Sequence, residues 1–323
     1  MAAPYNSYTD FPNGVTSVGI PVFGGGPGKF VTAAFGRTWF VNASSTVPAS
    51  GWSPGSDGYS GTSPTSPFLT MTKAFAVVSD GDVINFTGKL TEQLVTPVQV
   101  FDVWVNGCGN RPRHADATPL GGQFAAAQWA PPTSGAVVGQ ATVRVLQQGW
   151  RFTNILFTME SATAAGIEIV RNAGAGDLER DASHASIIGC RFAGAGVGIR
   201  SGVAGTFTEI PFNVLVQGNT FNGNTTAISD AIGTNAWQIL DNFFNANTNA
   251  ITMKLGGGLI KGNVIGSFTT NGIVLTSGAG LNQITFNTLS GTYSNVGGYT
   301  TANANDNWYG NATSAGFSSA DPA

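Results

Sequence analysis

From about Val143 to Leu289 the chain repeats itself, and an apolar residue returns to the same three places in each repeat. The first column reads Phe152, Ile187, Val216, Ile239, Ile260 and Ile284. Five residues later comes a second column, Phe157, Phe192, Phe221, Phe244, Ile265 and Leu289. A third column, usually seven or eight residues further on, contains Ile167, Ile199, Ile228, Ile251 and Ile273. Second-column residues are 35, 29, 23, 21 and 24 positions apart, so the repeat core is fixed while the loops vary, which indicates a stacked solenoid.

Two solenoid types have repeats of about this length, the leucine-rich repeat and the parallel β-helix. Leucine-rich repeats carry a helix and a leucine consensus, whereas leucine is scarce here and the repeat segments are short, β-branched and interrupted by Gly and Asn. The pattern therefore predicts an all-β, single-stranded parallel β-helix, with one coil of about three short strands per repeat. A single coil cannot bury its inner face, so its stability depends on the stack.

An asparagine stands just ahead of the second column in four of the repeats. These residues are Asn219, Asn242, Asn263 and Asn287. Asparagine tolerates left-handed backbone geometry and hydrogen-bonds locally, so it suits the sharp corner between two β-helix sheets. Stacked asparagine side chains can also hydrogen-bond to one another along the axis. We interpret the row as a structural ladder, with a sugar-binding row as the alternative.

Charge is sparse along the whole chain. Only 10% of residues are charged and the net charge is −3, while 42% are hydrophobic and glycine supplies 45 of the 323 residues. Such a chain is too apolar to be disordered. Beyond Arg200 the only basic residues are Lys254 and Lys261, so the C-terminal part of the solenoid is nearly uncharged. A neutral surface favours assembly or the binding of a neutral polymer, and without a basic patch nucleic acid is not expected as a partner.

The two cysteines, Cys108 and Cys190, lie about eighty residues apart and predict neither a disulfide framework nor a metal site. The N-terminal sequence MAAPYNSYTD lacks the charged and apolar regions of a secretory signal, and no apolar run approaches the ~20 residues of a membrane span. We therefore expect synthesis in a cytoplasm, no membrane insertion and no cofactor.

Composition divides the chain into four segments. Residues 1–37 are rich in Gly, Pro and aromatic residues with little strand or helix periodicity, which predicts an extended arm lying against another surface, or alternatively a floppy tail. Residues 38–142 predict an N-terminal cap with the first coils, residues 143–311 the main coils, and residues 312–323 a C-terminal tail. The candidate attachment residues of the arm are Phe11, Pro12, Asn13, Ile20, Pro21 and Phe23.

One helix is predicted within the cap, over residues 67–79. Ser66 suits its N-cap, Pro67 suits its first position, and Gly81 stops it. Its apolar face is formed by Phe68, Met71, Phe75 and Val78. This amphipathic helix would cover the open end of the solenoid, where a sheet edge would otherwise be exposed.

The order of segments in the cap resembles a known arrangement. A strand and a Gly-rich turn precede SPTSPFLTMTKAF, and then follow GDVINFTGKLTEQL and a strand ending in VNGCGNRPRH. This order is similar to the N-terminal cap of right-handed parallel β-helix proteins of the pectate-lyase-like superfamily. More narrowly, it resembles phage-encoded virion proteins in which a PFxT-type helix leads into a GDxI strand, and the opening DFPNGVTSVGIPV looks like the start of such proteins. The resemblance implies a right-handed β-helix, often a homotrimer, that serves as a spike or as a decoration on a capsid or tail.

Because β-helices also include lyases, hydrolases and adhesins, the enzyme classes have to be tested on their residues. The vWiDH-like segment of pectate lyases and the NTD, DD, GHG and RIK segments of polygalacturonases do not occur in this sequence. The segment RPRH, Arg111 to His114, is superficially like a lyase arginine motif, but its spacing is wrong. We interpret it as a basic turn that closes the cap.

A tailspike glycosidase would need two carboxylates roughly 5 to 9.5 Å apart. The repeat register places Glu168 opposite Arg200, which predicts a structural ion pair of small value on the outer surface. That outward column continues through Ser229, Thr252 and Val274. Asp230 and Asp241 align with no acidic residue in the neighbouring coils, so ladder position predicts no acid pair.

The long loop between the first two repeats, RNAGAGDLERDASHAS, is the one strongly charged region. If the chain has an active or metal site, its acid is predicted among Asp177, Glu179 and Asp181, with His184 as base or ligand. Other acidic residues that could lie nearby are Glu160, Glu168 and Glu209. A solvated loop or a subunit contact is the interpretation that we favour.

The sequence thus predicts a non-enzymatic phage virion surface protein, either a capsid decoration or a spike, made in the host cytoplasm. It would act by shape and multivalent contact, with the arm anchoring it to capsid or tail proteins and a homotrimer as the assembled state. The alternative is a tailspike or receptor-binding protein that binds or cleaves a host surface glycan. A secreted carbohydrate-active enzyme is the third possibility.

Overall fold

The structure is a computed structural model that describes residues 15–17, 20–23, 36–45, 51–109, 127–172, 180–202, 209–230, 232–276, 280–290, 299–301, 305–313 and 316–318. Within these residues the chain winds through three long sheets, passing from sheet 1 to sheet 2 to sheet 3 in each coil. Strands from successive coils pair in parallel, which makes the protein a parallel β-helix, and the connections between its parallel strands are right-handed. The predicted fold class is confirmed.

The strands that the structure describes are distributed as follows. Sheet 1 consists of Thr38–Asn42, Val83–Thr87, Trp104–Gly107, Arg151–Thr153, Ser186–Ile188, Leu215–Gln217, Gln238–Leu240, Leu259–Lys261, Gln283–Thr285 and Asn307–Tyr309. Sheet 2 consists of Lys89–Thr91, Gln128–Ala130, Leu156–Thr158, Arg191–Ala193, Thr220–Asn222, Phe243–Asn245, Val264–Gly266, Thr288–Ser290, Asn311–Thr313 and Gly316–Ser318. Sheet 3 consists of Leu94–Val95, Val143–Val145, Ala165–Ile169, Val197–Ser201, Thr226–Asp230, Asn249–Met253, Asn271–Leu275 and Tyr299–Thr301.

Two of the predicted segments contain strands of their own. The arm contains an antiparallel pair, Val15–Ser17 with Ile20–Phe23, and these residues include the strand-favouring types Val, Thr and Ile. The predicted tail contains the end of strand Asn311–Thr313 and the strand Gly316–Ser318, which pairs with it in antiparallel fashion. Sheet 2 therefore continues past residue 312.

All three predicted columns are confirmed as inward and in register. Phe152 pairs with Ile187 in sheet 1, Phe157 with Phe192 in sheet 2, and the third column pairs likewise in sheet 3. Every member of the columns is buried, with an exposed fraction of 0 to 1%. From Phe157 to Phe244 the phenylalanine rings stack face to face, with centroids 4.8 to 5.2 Å apart. A slip of one residue would turn these rings toward water, so the stack fixes the register between coils.

Two residues make each corner between sheets 1 and 2. The first has left-handed backbone geometry, with φ between 55° and 68°, in Asn154, Gly189, Gly218, Asp241, Gly262, Phe286 and Gly310. The second points inward and includes the four predicted ladder asparagines. Each of these donates from its backbone N and its Nδ2 to Oδ1 of the asparagine in the next coil, at 2.9 to 3.0 Å, and the ladder ends on Asn311.

The ladder side chains have no surface available for a sugar, because Asn219, Asn242, Asn263 and Asn287 are 0 to 1% exposed. Their second amide hydrogen is also used, as in Asn242, whose Nδ2 donates to the Val216 carbonyl at 2.9 Å. Two shorter ladders, not anticipated from the sequence, occupy other corners. In these, Asn224 N donates to Asn247 Oδ1 and Asn282 N donates to Asp306 Oδ1. The asparagine rows therefore hold the corners together.

The cap helix covers Met71–Phe75, which is shorter than the predicted residues 67–79. It cannot begin earlier, because the backbone of Phe68 is extended and bonded to the first strand, donating to Phe40 O and accepting from Asn42 N at 2.8 Å. The N-cap is therefore Thr70 rather than Ser66, and the Thr70 side chain accepts from Lys73 N at 3.1 Å. After the helix the chain continues in turns. The four residues of the predicted apolar face are nevertheless all buried, at 0 to 8% exposure.

The helix packs into the aromatic interior of the first coils. Phe75 contacts Trp150 and Trp129, with ring centroids 5.4 and 6.1 Å apart. Beside it the buried carboxylate of Asp82 accepts from Trp39 Nε1 at 2.7 Å and from Ser79 N at 2.8 Å, which ties the turn after the helix to the first strand. The helix thus fills the N-terminal end of the solenoid. Among the described residues, no helix is long and apolar enough to cross a membrane.

The ladder predicts a large difference between buried and exposed asparagines. Asn242→Ala leaves the donors of Asn219 and the Val216 carbonyl without partners in the interior, so the free energy of unfolding should fall by about 3 kcal/mol or more. Asn307→Ala, which removes an exposed asparagine bonded to Gln283, should change it by about 0.5 kcal/mol or less. Urea unfolding of both variants tests this. An equal loss in the free energy of unfolding for the two variants would contradict a stabilising role of the asparagine ladder.

Candidate functional site

The structure describes part of the predicted charged loop. Asp177 and Glu179 lie outside the described residues, as do the attachment candidates Phe11, Pro12 and Asn13 and the segment Arg111 to His114. The remaining attachment candidates, Ile20, Pro21 and Phe23, lie in the antiparallel pair of the arm. Of the loop candidates, Asp181 and His184 can be placed. Asp181 lies in the short strand Arg180–Asp181, where the loop returns to the solenoid, and His184 follows this strand.

Asp181 belongs to a network centred on Arg171. The two residues are opposite each other in a short antiparallel pair, and Arg171 Nε lies 3.6 Å from Asp181 Oδ2 and 3.5 Å from Glu209 Oε2. Asp181 also accepts from Gln148 Nε2 at 3.0 Å and from Ser183 N at 2.9 Å. With this set of donors, the carboxylate joins the loop base to the adjoining coils. Glu209 is near this region, as the sequence had suggested.

His184 occupies a left-handed corner position, with φ of 62°, ahead of the sheet 1 strand. Its backbone N donates to the Phe212 carbonyl at 3.0 Å, and its ring lies edge-on to the Phe212 ring with centroids 5.2 Å apart. In the part of the chain that the structure describes, the imidazole makes no hydrogen bond to a carboxylate. Asp181 and His184 therefore do not form an acid–base pair, although both lie at the base of the same loop.

Glu168 faces Arg200 in sheet 3, as the repeat register predicted. The pair is not exposed on the outer surface as expected, because the Glu168 side chain has an exposed fraction of 0% and contacts two arginines. Arg200 Nη2 lies 2.7 Å from Oε1, and Arg144 Nε, one coil earlier, bonds to Oε2. Arg200 also donates to the Thr163 carbonyl at 2.9 Å. Buried in this way, the carboxylate serves to join three coils.

Arg144 was missed because it lies at the edge of the recognisable repeat. The sequence of the strand Val143–Val145 nevertheless indicates where Arg144 lies, because a residue between two inward valines must point to the outer face. Glu160, expected near the charged loop, lies instead in a depression of about 450 Å³ that it lines with Lys89 and Pro131. Glu168 also lies apart from that loop network, in its own pairing with the arginines.

Asp230 is the carboxyl group whose properties differ most from those of a surface acid. Burial raises its pKa to about 6, although a hydrogen bond from Lys254 N to Oδ2, at 2.5 Å, and the Lys254 charge act in the opposite direction. Burial also raises the pKa of Glu92, whose Oε2 accepts from Thr72 N at 3.0 Å. A raised pKa suits a proton donor, but Asp230 faces Ser201 across the ladder rather than a second carboxylate.

Both cysteines are free thiols, with Cys190 buried and Cys108 partly buried. Burial raises the pKa of Cys190 to about 12 and that of Cys108 to about 11, so both stay protonated and weakly nucleophilic at neutral pH. Cys190 stands one coil ahead of the asparagine ladder, and its backbone N donates to Asn219 Oδ1 at 2.8 Å. Over the described ranges, no group of three His, Cys, Asp or Glu side chains is close enough to hold a metal ion.

A groove crosses the outer face of sheet 2, where three strands lie side by side. Its volume is about 420 Å³, and it is lined by Arg191, Asn219, Thr220, Asn222, Asp241, Phe243 and Asn245. The repeat columns did not predict it. The doublet Phe243–Phe244 in the sequence indicates an exposed ring on this face. Side chains alternate along a strand, so the Phe244 ring points inward and the Phe243 ring points outward. Phe243 is 47% exposed and lies among polar neighbours.

Comparison with known proteins supports the fold. The chain matches no protein-family model and no curated protein sequence. Among solved structures, an alginate lyase from Paenibacillus sp. is similar with a TM-score of 0.51 and 12% identity over 86% of this chain and 87% of that one. A pectin methylesterase from Aspergillus niger gives a TM-score of 0.47 and 15% identity over 88% and 87%. At 12% identity, the likeness to the alginate lyase concerns the fold alone and does not extend to activity.

The Glu168 cluster predicts a strong dependence of stability on one side chain. Glu168→Ala leaves Arg144 and Arg200 facing each other without their shared carboxylate, and the free energy of unfolding should fall by about 3 to 5 kcal/mol. The matched control is Glu209→Ala, whose side chain is 36% exposed and whose loss should cost about 1 kcal/mol or less. Chemical denaturation measures both. Similar losses for the two variants would contradict the buried role of Glu168.

Asp230 predicts a pH-dependent stability. The folded protein keeps this proton to a higher pH than the unfolded chain, so the folded state loses stability as pH rises from about 4 to about 6. Asp230→Asn removes the ionisation and keeps an oxygen for Lys254 N. Since one pKa unit corresponds to about 1.4 kcal/mol, the variant should be more stable than the parent by about 1 to 3 kcal/mol at pH 7.5. In urea unfolding this gain should shrink toward pH 4, and a constant difference would exclude titration of Asp230 as its cause.

Proposed function

We propose that this chain is a non-enzymatic surface protein of a phage virion, a capsid decoration or a spike that acts by shape and multivalent contact. The observation that carries the proposal is how two carboxylates of the coils, Glu168 and Asp181, are used. Glu168 is enclosed by two arginines, and Asp181 is bound by Arg171, Gln148 and Ser183. Each is held in place as a link between coils, which is how a scaffold uses its charges.

Several further observations support the virion role. The cap has the order that resembles phage virion proteins, with the strand Thr38–Asn42, the helix Met71–Phe75 and the strand Val83–Thr87 following one another. The long, nearly uncharged C-terminal part favours side-by-side association, so the proposed assembly is a homotrimer on the surface of the particle. In this proposal residues 1–37 attach the protein to a capsid or tail protein.

The alternative is a tailspike or receptor-binding protein that binds or cleaves a host polysaccharide. The groove on sheet 2 favours the binding half of this alternative, because it is open and polar around one exposed ring. Cleavage by a glycosidase requires a pair of carboxylates, and Asp241 is the one carboxylate among the described residues that line the groove. Binding without cleavage is therefore the form of this alternative that we retain.

The proposal is tested by returning the protein to particles that lack it. Full-length protein should rebind at regular sites on the head, while a truncated chain lacking residues 1–37 should stay in solution although it folds. Electron microscopy of the mixtures scores rebinding, and circular dichroism checks the fold of the truncated chain.

Rebinding at the tail tip, or clearing of the host capsule without rebinding, would support the tailspike alternative instead. Light scattering on the same preparation of full-length protein should give the mass of a trimer. A monomeric mass at high concentration would contradict the proposed assembly.

A further inference from the structure

The outer groove on sheet 2 is a built surface with a defined layout. In its three strands Arg191, Thr220 and Phe243 pair in one outward row, and Ala193, Asn222 and Asn245 pair in a second. Asp241 precedes them at the corner. Each row spans two inter-strand spacings, or about 10 Å. The groove is therefore long enough for a short stretch of a polymer rather than for a single small group.

The floor beneath these side chains is rigid. The residues between the two rows, Phe192, Phe221 and Phe244, point inward and stack with centroids 4.8 and 4.9 Å apart. Asn219, at the edge of the floor, is 1% exposed and donates to the Ile187 carbonyl at 2.9 Å. Since the backbone of all three strands is held in this way, the outward side chains are positioned before any ligand arrives.

Several polar atoms of the groove are available to a ligand. Asn245 Nδ2 donates to Asn222 Oδ1 at 3.0 Å, which orients both amides and leaves Asn222 Nδ2 and Asn245 Oδ1 without a partner within the described residues. The Asp241 carboxylate is exposed and leans over Gly262, where a Cβ would lie 2.3 Å from its Oδ1. A donor, an acceptor and a carboxylate therefore surround the half-exposed ring of Phe243.

This combination selects one ligand chemistry. A sugar ring presents an apolar face of C–H groups that can lie on an aromatic ring, with hydroxyl groups around it that pair with amides and carboxylates. Among the described residues of the lining there is one cation, Arg191, and one anion, Asp241, so the groove favours an uncharged ligand. A nucleic acid would need several cations, and a peptide strand would need an open sheet edge, whereas this groove lies on a sheet face.

We propose that the groove formed by Arg191, Thr220, Asn222, Asp241, Phe243 and Asn245 binds a short stretch of an uncharged polysaccharide. The Phe243 ring contacts the apolar face of one sugar ring. Asp241 and the Asn222–Asn245 pair hydrogen-bond to its hydroxyl groups. With one carboxylate in the described lining, the groove holds the chain of sugars and does not cut it. This site is independent of how the protein is attached to a particle.

The test is binding of neutral hexasaccharides of glucose, mannose, galactose and N-acetylglucosamine to the purified full-length protein by calorimetry. At least one should bind with a Kd of about 1 mM or tighter, and acidic hexasaccharides from alginate and polygalacturonate should bind more weakly. Phe243→Ala should weaken the binding about tenfold, since the stacking contact is lost, while Phe243→Trp should retain it. Asp241→Asn, whose side chain tolerates the left-handed corner, should weaken it about three- to tenfold.

The matched control is Val264→Ala, which changes the next exposed apolar residue in the row of Phe243 and should leave binding unchanged. Thermal unfolding of each variant separates lost binding from lost folding. The inference is overturned if no neutral hexasaccharide binds, if only acidic ones do, or if the Phe243→Ala and Asp241→Asn variants bind like the parent. These results concern the isolated protein, so they are separate from the outcome of the particle rebinding experiment.

Discussion

A single coil of this protein has no core, and its inward side chains leave water only when the coils above and below cover them. The contact that does this most directly is the stack of phenylalanine rings from Phe157 to Phe244. Each ring covers the next at nearly the spacing of paired strands, so backbone hydrogen bonds and ring contacts reach their best geometry in the same register. The asparagine ladder adds a polar contact with the same repeat. The positions of the side chains on the outer surface also depend on this register.

The inward-facing residues of the coils could be predicted because the need to bury them leaves a repeated pattern in the sequence. An apolar or β-branched residue must return to the same place in every coil, and the three columns show this in the sequence. The boundaries of the cap helix could not be predicted in this way. The first turn of the predicted helix does not form, because the Phe68 backbone pairs with Phe40 and Asn42, more than twenty residues earlier. The helix propensity of the local sequence contains no information about such a long-range pairing.

The candidate sites illustrate the same limit. Pairing of Glu168 with Arg200 followed from the repeat, but its burial depended on Arg144 in a coil where the repeat is not yet recognisable. Asp181 and His184 are neighbours in sequence, yet the strand pairing of one and the corner position of the other direct their side chains to different partners. The groove on sheet 2 was missed because outward residues carry no repeat. Since the core does not need them, their identities vary from coil to coil, and that freedom is what allows a binding surface to arise there.

The left-handed corner between sheets 1 and 2 imposes a rule of its own on that surface. Along the column, Asn154, Asp241 and Phe286 carry side chains, and the coils on either side of each have glycine. Space contributes at two of these glycines, since a Cβ at Gly262 would lie 2.3 Å from Asp241 Oδ1 and a Cβ at Gly310 would lie 2.8 Å from the Phe286 ring. Glycine also adopts the left-handed backbone of this corner without strain. The side chains of the column stand two or three coils apart, about 10 or 14 Å. A partner that contacts all three side chains of this corner must therefore present its own groups at these unequal intervals along the axis.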